Sequence, residues 1–345
     1  MIRIKIHEIE KHRNETSFRP YLLASNIFSD VGIEFTRGDT YDIAWVGQAS
    51  IADKTLPLER SVEMGVRYCE RIGGQYMIFD GQDSHSLIGT YDVLKHLDSN
   101  CLLFCKNTLL RDLNMYTVPT VNGRWYWPDG DPKYSIPEID GVFDRIVLSG
   151  TNWLSTVPIR MYQYHGIPKP HDVAALFGYN LDKGTEHGVE HYQFYNAHRK
   201  RCVDVLNRIS GLDIQMIRDG VRLTPDEYYT RMFNSKIIVA PFGYGEIAPR
   251  DIEAACFGCV LIKPDMSHIQ TIPNIYDSGT YVACKHDYSD LEEKIRMVLD
   301  NYDEYQYTLV TNMRSRFLEL YTPQNVVRHI YNLFQNNLSD YFTDE

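Results

Sequence analysis

Long apolar runs are missing from this chain. Nothing in it approaches the roughly 20 consecutive apolar residues that a membrane-spanning helix requires. The opening stretch Met1 to His7 alternates apolar and polar residues instead of forming a signal sequence. A soluble, cytoplasmic protein without an integral membrane segment is therefore expected. Positive charge is also short: 35 Lys and Arg stand against 46 Asp and Glu, a formal net charge of −11. That balance argues against nucleic acid as a partner, which needs a basic phosphate-facing surface, yet it allows a local positive pocket for a diphosphate. Cysteine supplies no framework. Cys69, Cys101, Cys105, Cys202, Cys256, Cys259 and Cys284 are odd in number and mostly sit beside apolar residues, so they read as buried thiols. Cys256 and Cys259 form a CxxC, but a second CxxC that would complete a metal cage is lacking. Asp129-Gly130-Asp131 has no preceding apolar strand and reads as a turn. His165 with His171, and His187 with His191, lack the Glu of a zinc-protease motif. Neither a metal nor another cofactor is expected.

What is present suffices for two cores. A length of 345 residues suits two domains of about 150 to 180, and 43% hydrophobic residues exclude a disordered chain. In the first half, Met1 to His7, Tyr41 to Gly47, Gln75 to Phe79 and Leu102 to Phe104 read as strands. Leu58, Val62, Val66 and Cys69 form a helical stripe between the second and third of these. Asp80 to His85 follow the third strand, at the end where open α/β sheets place ligands. Asp80-Gly81 fits an Asx-turn, while Asp83 and His85 are candidates to take a proton from an acceptor. Leu113 to Val147 shows little regular pattern. It holds Trp125 and Trp127, and reads either as a long surface insertion that receives an acceptor or as a cover for a sheet edge.

The proline-rich HGIPKPHD, His165 to Asp172, suits a connection between domains. The division expected is 1–168, 169–325 and a terminal helix in 326–345. In the second domain, Val173 to Phe177, Leu212 to Ile217 and Tyr281 to Cys284 read as strands, and His187 to Ile209 as a helix carrying His198, Arg199, Lys200 and Arg201. Those neighbours cannot all face one way. Thr224-Pro225-Asp226-Glu227 is a strong helix start, because Thr accepts the free N3 amide and Glu reaches back. Ser289 is read as the cap of a helix from Asp290 to about Leu299, a further helix spans Tyr305 to Leu320, and Thr322-Pro323 opens the last.

The most informative stretch is Phe233 to Asp265. Lys236 to Ala240 is an apolar β-branched run, as a buried parallel strand requires. A loop with Gly243 and Gly245 follows, then Pro249 at the first position of a helix, Gly258 at its end, and a second apolar strand from Cys259 to Ile262. Strand, glycine-containing loop, helix and strand together make a unit whose loop amides and helix N-terminus favour an anionic ligand.

The strings PFGYGE (Pro241 to Glu246), PRDIEAA (Pro249 to Ala255) and GCVLIKPD (Gly258 to Asp265) resemble the donor-binding segment of GT-B glycosyltransferases, and within them the exostosin-like and family-one-like enzymes. The resemblance extends over roughly Ile237 to Ile295. It implies an α/β fold with two Rossmann-like domains facing a cleft, a last helix crossing back to the first domain, and transfer of a sugar from a nucleotide-sugar donor to a glycan acceptor. By the same likeness, Glu253 binds the ribose hydroxyls and Glu246 approaches the donor sugar. A basic residue near the first loop of the second domain, of which Arg199 is the candidate, meets the phosphates. Glu246 and Glu253 stand one residue closer than in many retaining members, which leaves the stereochemistry open. Arg250 is the first candidate for the diphosphate, because guanidinium pairs bidentately with phosphate oxygens. The loop amides of Gly243, Tyr244 and Gly245 assist it, and Lys263 is a second cation. The bland alternatives are a surface salt bridge for Arg250, a solvated helix position for Glu253 and a bond to loop amides for Glu246. For the whole protein the rivals are a non-catalytic nucleotide-sugar or glycan-binding module and a sugar-nucleotide epimerase or hydrolase.

Overall fold

The computed structural model describes residues 1–7, 18, 20–51, 56–81, 84–121, 123–124, 134–150, 161–179, 191–217, 221–320 and 322–341. Asp83, Trp125, Trp127, Asp129-Gly130-Asp131 and His187 lie outside them. In chain order the first half contains β1 (Ile2–His7), α1 (Ser25–Asp30), β2 (Ile33–Thr36), β3 (Ile43–Gly47), α2 (Leu58–Glu70), β4 (Tyr76–Asp80), α3 (Thr90–His96), β5 (Cys101–Lys106), β6 (Thr108–Leu110) and β7 (Ile146–Leu148). The strands other than β6 form one six-stranded sheet in the order β2-β1-β3-β4-β5-β7, parallel throughout. β3 and β4 are buried at every position, as near-continuous apolar runs covered on both faces must be. β1 alternates between buried and half-buried residues, so its Ile side chains face the core while Arg3 and Lys5 reach Asp42 and Asp39.

The second half holds β8 (His171–Ala175), α4 (His191–Leu206), β9 (Ile214–Met216), α5 (Pro225–Phe233), β10 (Ser235–Val239), α6 (Pro249–Phe257), β11 (Val260–Pro264), β12 (Ile269–Thr271), β13 (Val282–Cys284), α7 (Leu291–Asp300), α8 (Thr311–Leu320) and α9 (Pro323–Asn337). Its sheet runs β13-β11-β10-β8-β9, again parallel. Helix starts obey the local chemistry. Thr224 and Glu227 close a full capping box on α5, and Thr322 accepts the Asn325 amide at the start of α9. Gly258 ends α6 at φ +70°, a conformation that glycine takes without a Cβ clash.

The two halves are joined at several places. β6 pairs antiparallel with β12, Thr108 opposite Thr271 and Leu110 opposite Ile269. Arg111 adds bonds from its amide to His268 O, and from its guanidinium to Ser267 O and Ile269 O. The apolar core under α2 and α3 runs without a break into Phe242, Ile247 and Ile252 of the second half. Finally α9 returns to the first sheet, where Val327, Ile330 and Phe334 pack with Ile4, Trp45 and Phe79.

Several sequence expectations need correction. Leu113 to Val147 is not simply a surface insertion: Tyr116, Ile136, Val142 and Phe143 are buried, and its end is the edge strand β7. The expected helix from Tyr305 to Leu320 is interrupted by a π-turn over Gln306–Val310, where Gln306 donates to Gly258 O at 2.8 Å. Ser289 does not cap α7. The helix begins at Leu291, and the Asp290 carboxylate turns back to accept the Lys285 amide. All seven cysteines are free and buried, as their apolar neighbours suggested. Among the described residues no helix is long and apolar enough to cross a membrane.

Candidate active site

The site grows from the loop between β10 and α6. Parallel pairing of β10 with β8 and β11 brings the loops after these strands to one edge of the sheet. Arg199, projecting from α4, ties two of them together: its Nε donates to Phe242 O at 3.1 Å and its Nη1 to Gly178 O at 2.7 Å. The guanidinium fills the space beside Gly243, where a Cβ would stand 2.7 Å from Nη2. The basic cluster divides as helix geometry demands. Arg199 serves the loops, Lys200 pairs with Asp204, and His198 is buried against Tyr288 Oη at 2.5 Å, its pKa pushed down to about 3 chiefly by burial.

Glu246 is fully buried and meets His85 of the first half. Its Oε2 accepts the His85 backbone N–H at 3.0 Å, and its Oε1 lies 2.7 Å from His85 Nδ1. The two groups thus come together across the line between the two sheets. His85 is held in turn by Tyr116, whose hydroxyl donates to His85 O at 2.9 Å. Asp80 plays the fixing part: it is buried, and Lys106 Nζ donates both to its Oδ2 at 2.7 Å and to Ser84 O at 2.9 Å, pinning the start of the His85 segment.

Lys263 takes a different place from that of a cleft-facing cation. Fully buried under the loop, its Nζ donates to Glu246 O at 2.6 Å and to Asp251 Oδ2 at 2.8 Å. Burial lowers its pKa against the opposing pull of Asp251. The same Asp251 oxygen accepts the Ala248 amide at 3.0 Å and the Tyr276 hydroxyl at 2.6 Å. Lys263, Asp251 and Tyr276 therefore set the backbone around Glu246 and the first turn of α6.

Arg250, in that first turn, lies with its guanidinium 5.8 Å from the centre of the Phe177 ring. Glu253 is not a solvated helix residue: it is 5% exposed and accepts from Tyr228 Oη at 2.7 Å. Burial raises its pKa, with the Tyr228 bond and the Arg250 charge acting the other way. Tyr244 sits between the two loop glycines, with the Arg124 guanidinium 4.5 Å from its ring centre. Beside Glu246, the His268 ring is 6.3 Å from that of His85 and 5.8 Å from that of His286. Burial pushes His268 down to about 4 and lowers His286 as well, so both imidazoles are neutral near pH 7.

The structure thus gathers His85, Gly243, Tyr244, Gly245, Glu246, Arg250, Glu253 and Arg199 around one loop and one helix start, with Lys263 beneath. Sequence reasoning missed Asp251, Tyr228, Arg124 and His268. Asp251 had a signal, an acid at the third helical position behind Pro249; Arg124 lies far from the motif, while Tyr228 and His268 stand just outside its strings with no pattern that marks them. No cluster of three or more His, Cys, Asp or Glu able to hold a metal occurs among the described residues. Chemically, the α6 amides, Arg199 and Arg250 suit a phosphorylated ligand. The Glu246 carboxylate lies against the imidazole Nδ1 of His85 and so orients the ring.

No curated protein matches the sequence. Among solved structures, similarity extends to sucrose-phosphate synthase from Thermosynechococcus elongatus at 13% identity, TM-score 0.47, covering 99% of this chain and 100% of that one. A protein described as a UDP-N-acetylglucosamine 2-epimerase from Listeria monocytogenes is similar at 10% identity, TM-score 0.46, with 99% and 97% covered. An α-glucosyltransferase in complex with UDP-glucose and DNA is similar at 10% identity, TM-score 0.41, with 99% and 98% covered. Residues 187–332 match the family model described as glycosyl transferase-like, a segment that lies mostly in the second of the two parallel sheets and the helices around it.

Proposed function

We propose that the protein is a metal-independent glycosyltransferase that moves a sugar from a nucleoside-diphosphate sugar to a glycan hydroxyl. The observation that carries this reading is the meeting of Glu246 with His85 beside the N-terminus of α6. Arg250, Arg199 and the amides of Gly243 to Glu246 compensate the charge of the departing diphosphate, because donors already fixed in place need no reorganisation as charge develops. Glu253 takes the ribose hydroxyls, with Tyr228 orienting its carboxylate. Glu246 faces the donor sugar and holds His85, whose Nε2 accepts the acceptor's hydroxyl proton while the carboxylate stabilises the resulting imidazolium. Asp83 is the alternative base. The glycan acceptor, the cytoplasm as the place of action and the exclusion of nucleic acid belong to the same reading, and the net charge of −11 supports the last of these.

A thermal-shift titration with a panel of nucleoside diphosphates and nucleotide sugars tests it, on the wild type and on Arg250→Ala and Glu253→Ala. A ligand that binds only the native state at 100 times its Kd stabilises by about 2.7 kcal/mol. Stabilisation by one nucleotide class, lost in both variants, is the expected result. No shift with any nucleotide would count against the donor site.

A further inference from the structure

Arg124 belongs to the first half of the chain, yet it reaches the loop that the second half builds for its ligand. It closes a tight turn, its amide donating to Val121 O at 3.0 Å, and it is only 2% exposed. Its guanidinium lies over the ring of Tyr244, 4.5 Å from the centre. Gly123 has φ +72°, and a Cβ there would approach Ser86 Oγ to 2.3 Å, so the turn presses directly on the segment that carries His85. The first half therefore grips the loop at Tyr244 through Arg124 and at Glu246 through His85, while Arg199 fills the space beside Gly243 and Lys263 supports the backbone of Glu246.

A cation over a ring is held by the ring's quadrupole, more strongly when water is excluded, and a planar guanidinium does this better than the ammonium of lysine. We propose that Arg124 is a positioning residue that holds the Gly243 to Glu246 loop in its ligand-binding shape from the opposite domain, acting through the ring of Tyr244. Only the clause about the ligand rests on the donor-site reading; the mechanical role does not.

Amide hydrogen exchange on the full chain tests it in Arg124→Ala, Arg124→Lys, Tyr244→Phe, Tyr244→Ala and the Arg124→Ala/Tyr244→Ala double variant. In Arg124→Ala and Tyr244→Ala, exchange at 243–246 should quicken by about tenfold or more while β10 and β11 stay protected. The double variant should be no faster than either single one, because both remove the same contact. Tyr244→Phe keeps the ring and should stay closer to the wild type than Tyr244→Ala does, and Arg124→Lys should fall between the wild type and Arg124→Ala. Unchanged exchange in Arg124→Ala, additive effects in the double variant, or a rise that includes β10 would each overturn the proposal. Should Arg124→Ala fail to fold, the Tyr244→Phe and Tyr244→Ala pair decides. In turnover, Arg124→Ala should raise the donor KM by about tenfold with a smaller change in kcat. If the wild type binds no nucleotide, the donor-site reading fails while the exchange data still decide the role of Arg124.

Discussion

Glu246 and His85 are 161 positions apart and touch twice, backbone N–H to Oε2 at 3.0 Å and imidazole Nδ1 to Oε1 at 2.7 Å. One carboxylate thus fixes both the main chain and the ring of a residue from the other half of the molecule. In Glu246→Gln the amide oxygen still accepts one of these bonds, but the charge that stabilises an imidazolium is gone. Turnover should fall by about 10²- to 10⁴-fold, while nucleoside-diphosphate stabilisation persists, because the proposed site holds the diphosphate through Arg250 and the α6 amides. Steady-state transfer measured beside thermal shift checks this. Loss of both would make Glu246 a structural residue.

Below that pair, Lys263 and Asp251 form an ion pair at 2.8 Å with neither side chain exposed. Lys263→Met leaves the Asp251 carboxylate buried without its cation and should cost about 3–5 kcal/mol in denaturant unfolding. Adding Asp251→Asn should restore part of this, since a neutral amide oxygen still accepts from Ala248 and Tyr276. A double variant no more stable than Lys263→Met would refute the account.

The second sheet and the helix start at Pro249 were legible in the sequence because their signals are local: β-branched runs, a proline at the first helical position, a glycine at the end. β2, β6, β7 and β12 were not: strands of three or four residues carry little alternation, and unlike the equally short β9 and β13 these were not picked out by a flanking apolar run. The same reason separates the site residues. Arg250 and Glu253 stand inside a recognisable motif, whereas Tyr228, Arg124 and His268 reach it only after folding. Lys263 was read as a second cation for the diphosphate; the chain buries it against Asp251 instead.

Acid should weaken the protein through its buried imidazoles. His268 is pushed down to about 4 and His198 to about 3 from an ordinary value of 6.5, mainly by burial. Around His268, Glu246 and Asp265 pull upward, while His85 and His286 press down with the desolvation. Because the folded values are depressed, the unfolded chain binds protons first. The stability these groups contribute is complete above pH 6.5 and is lost as pH falls toward 4 and then 3. Each such group adds a slope of up to about 1.4 kcal/mol per pH unit in that window. Urea unfolding at pH 7.5, 6 and 5 checks the trend, and His268→Asn should flatten it between pH 6.5 and 4. An unchanged slope would assign the loss to other groups.

The β6–β12 ribbon decides how the halves can move. A ladder with Thr108 opposite Thr271, extended by the Arg111 bonds, lies between the two sheets and resists shear as a linker would not. If the ribbon persists through turnover, the domains pivot about it and do not part there. Opposed Cα atoms in an antiparallel pair are about 4.5–5.5 Å apart, inside the usual disulfide range of about 4.4–6.8 Å. Thr108→Cys with Thr271→Cys should therefore cross-link readily, at the loss of the bond from Thr271 Oγ1 to Pro273 O. Chain entropy alone allows the closed loop to add about 5 kcal/mol of stability. The oxidised variant should keep nucleotide binding and turnover within about a factor of two of its reduced form, a difference of roughly 0.4 kcal/mol. Activity lost on oxidation and regained with reductant would show that the ribbon must open, and the cleft would then have a free hinge in place of a fixed pivot.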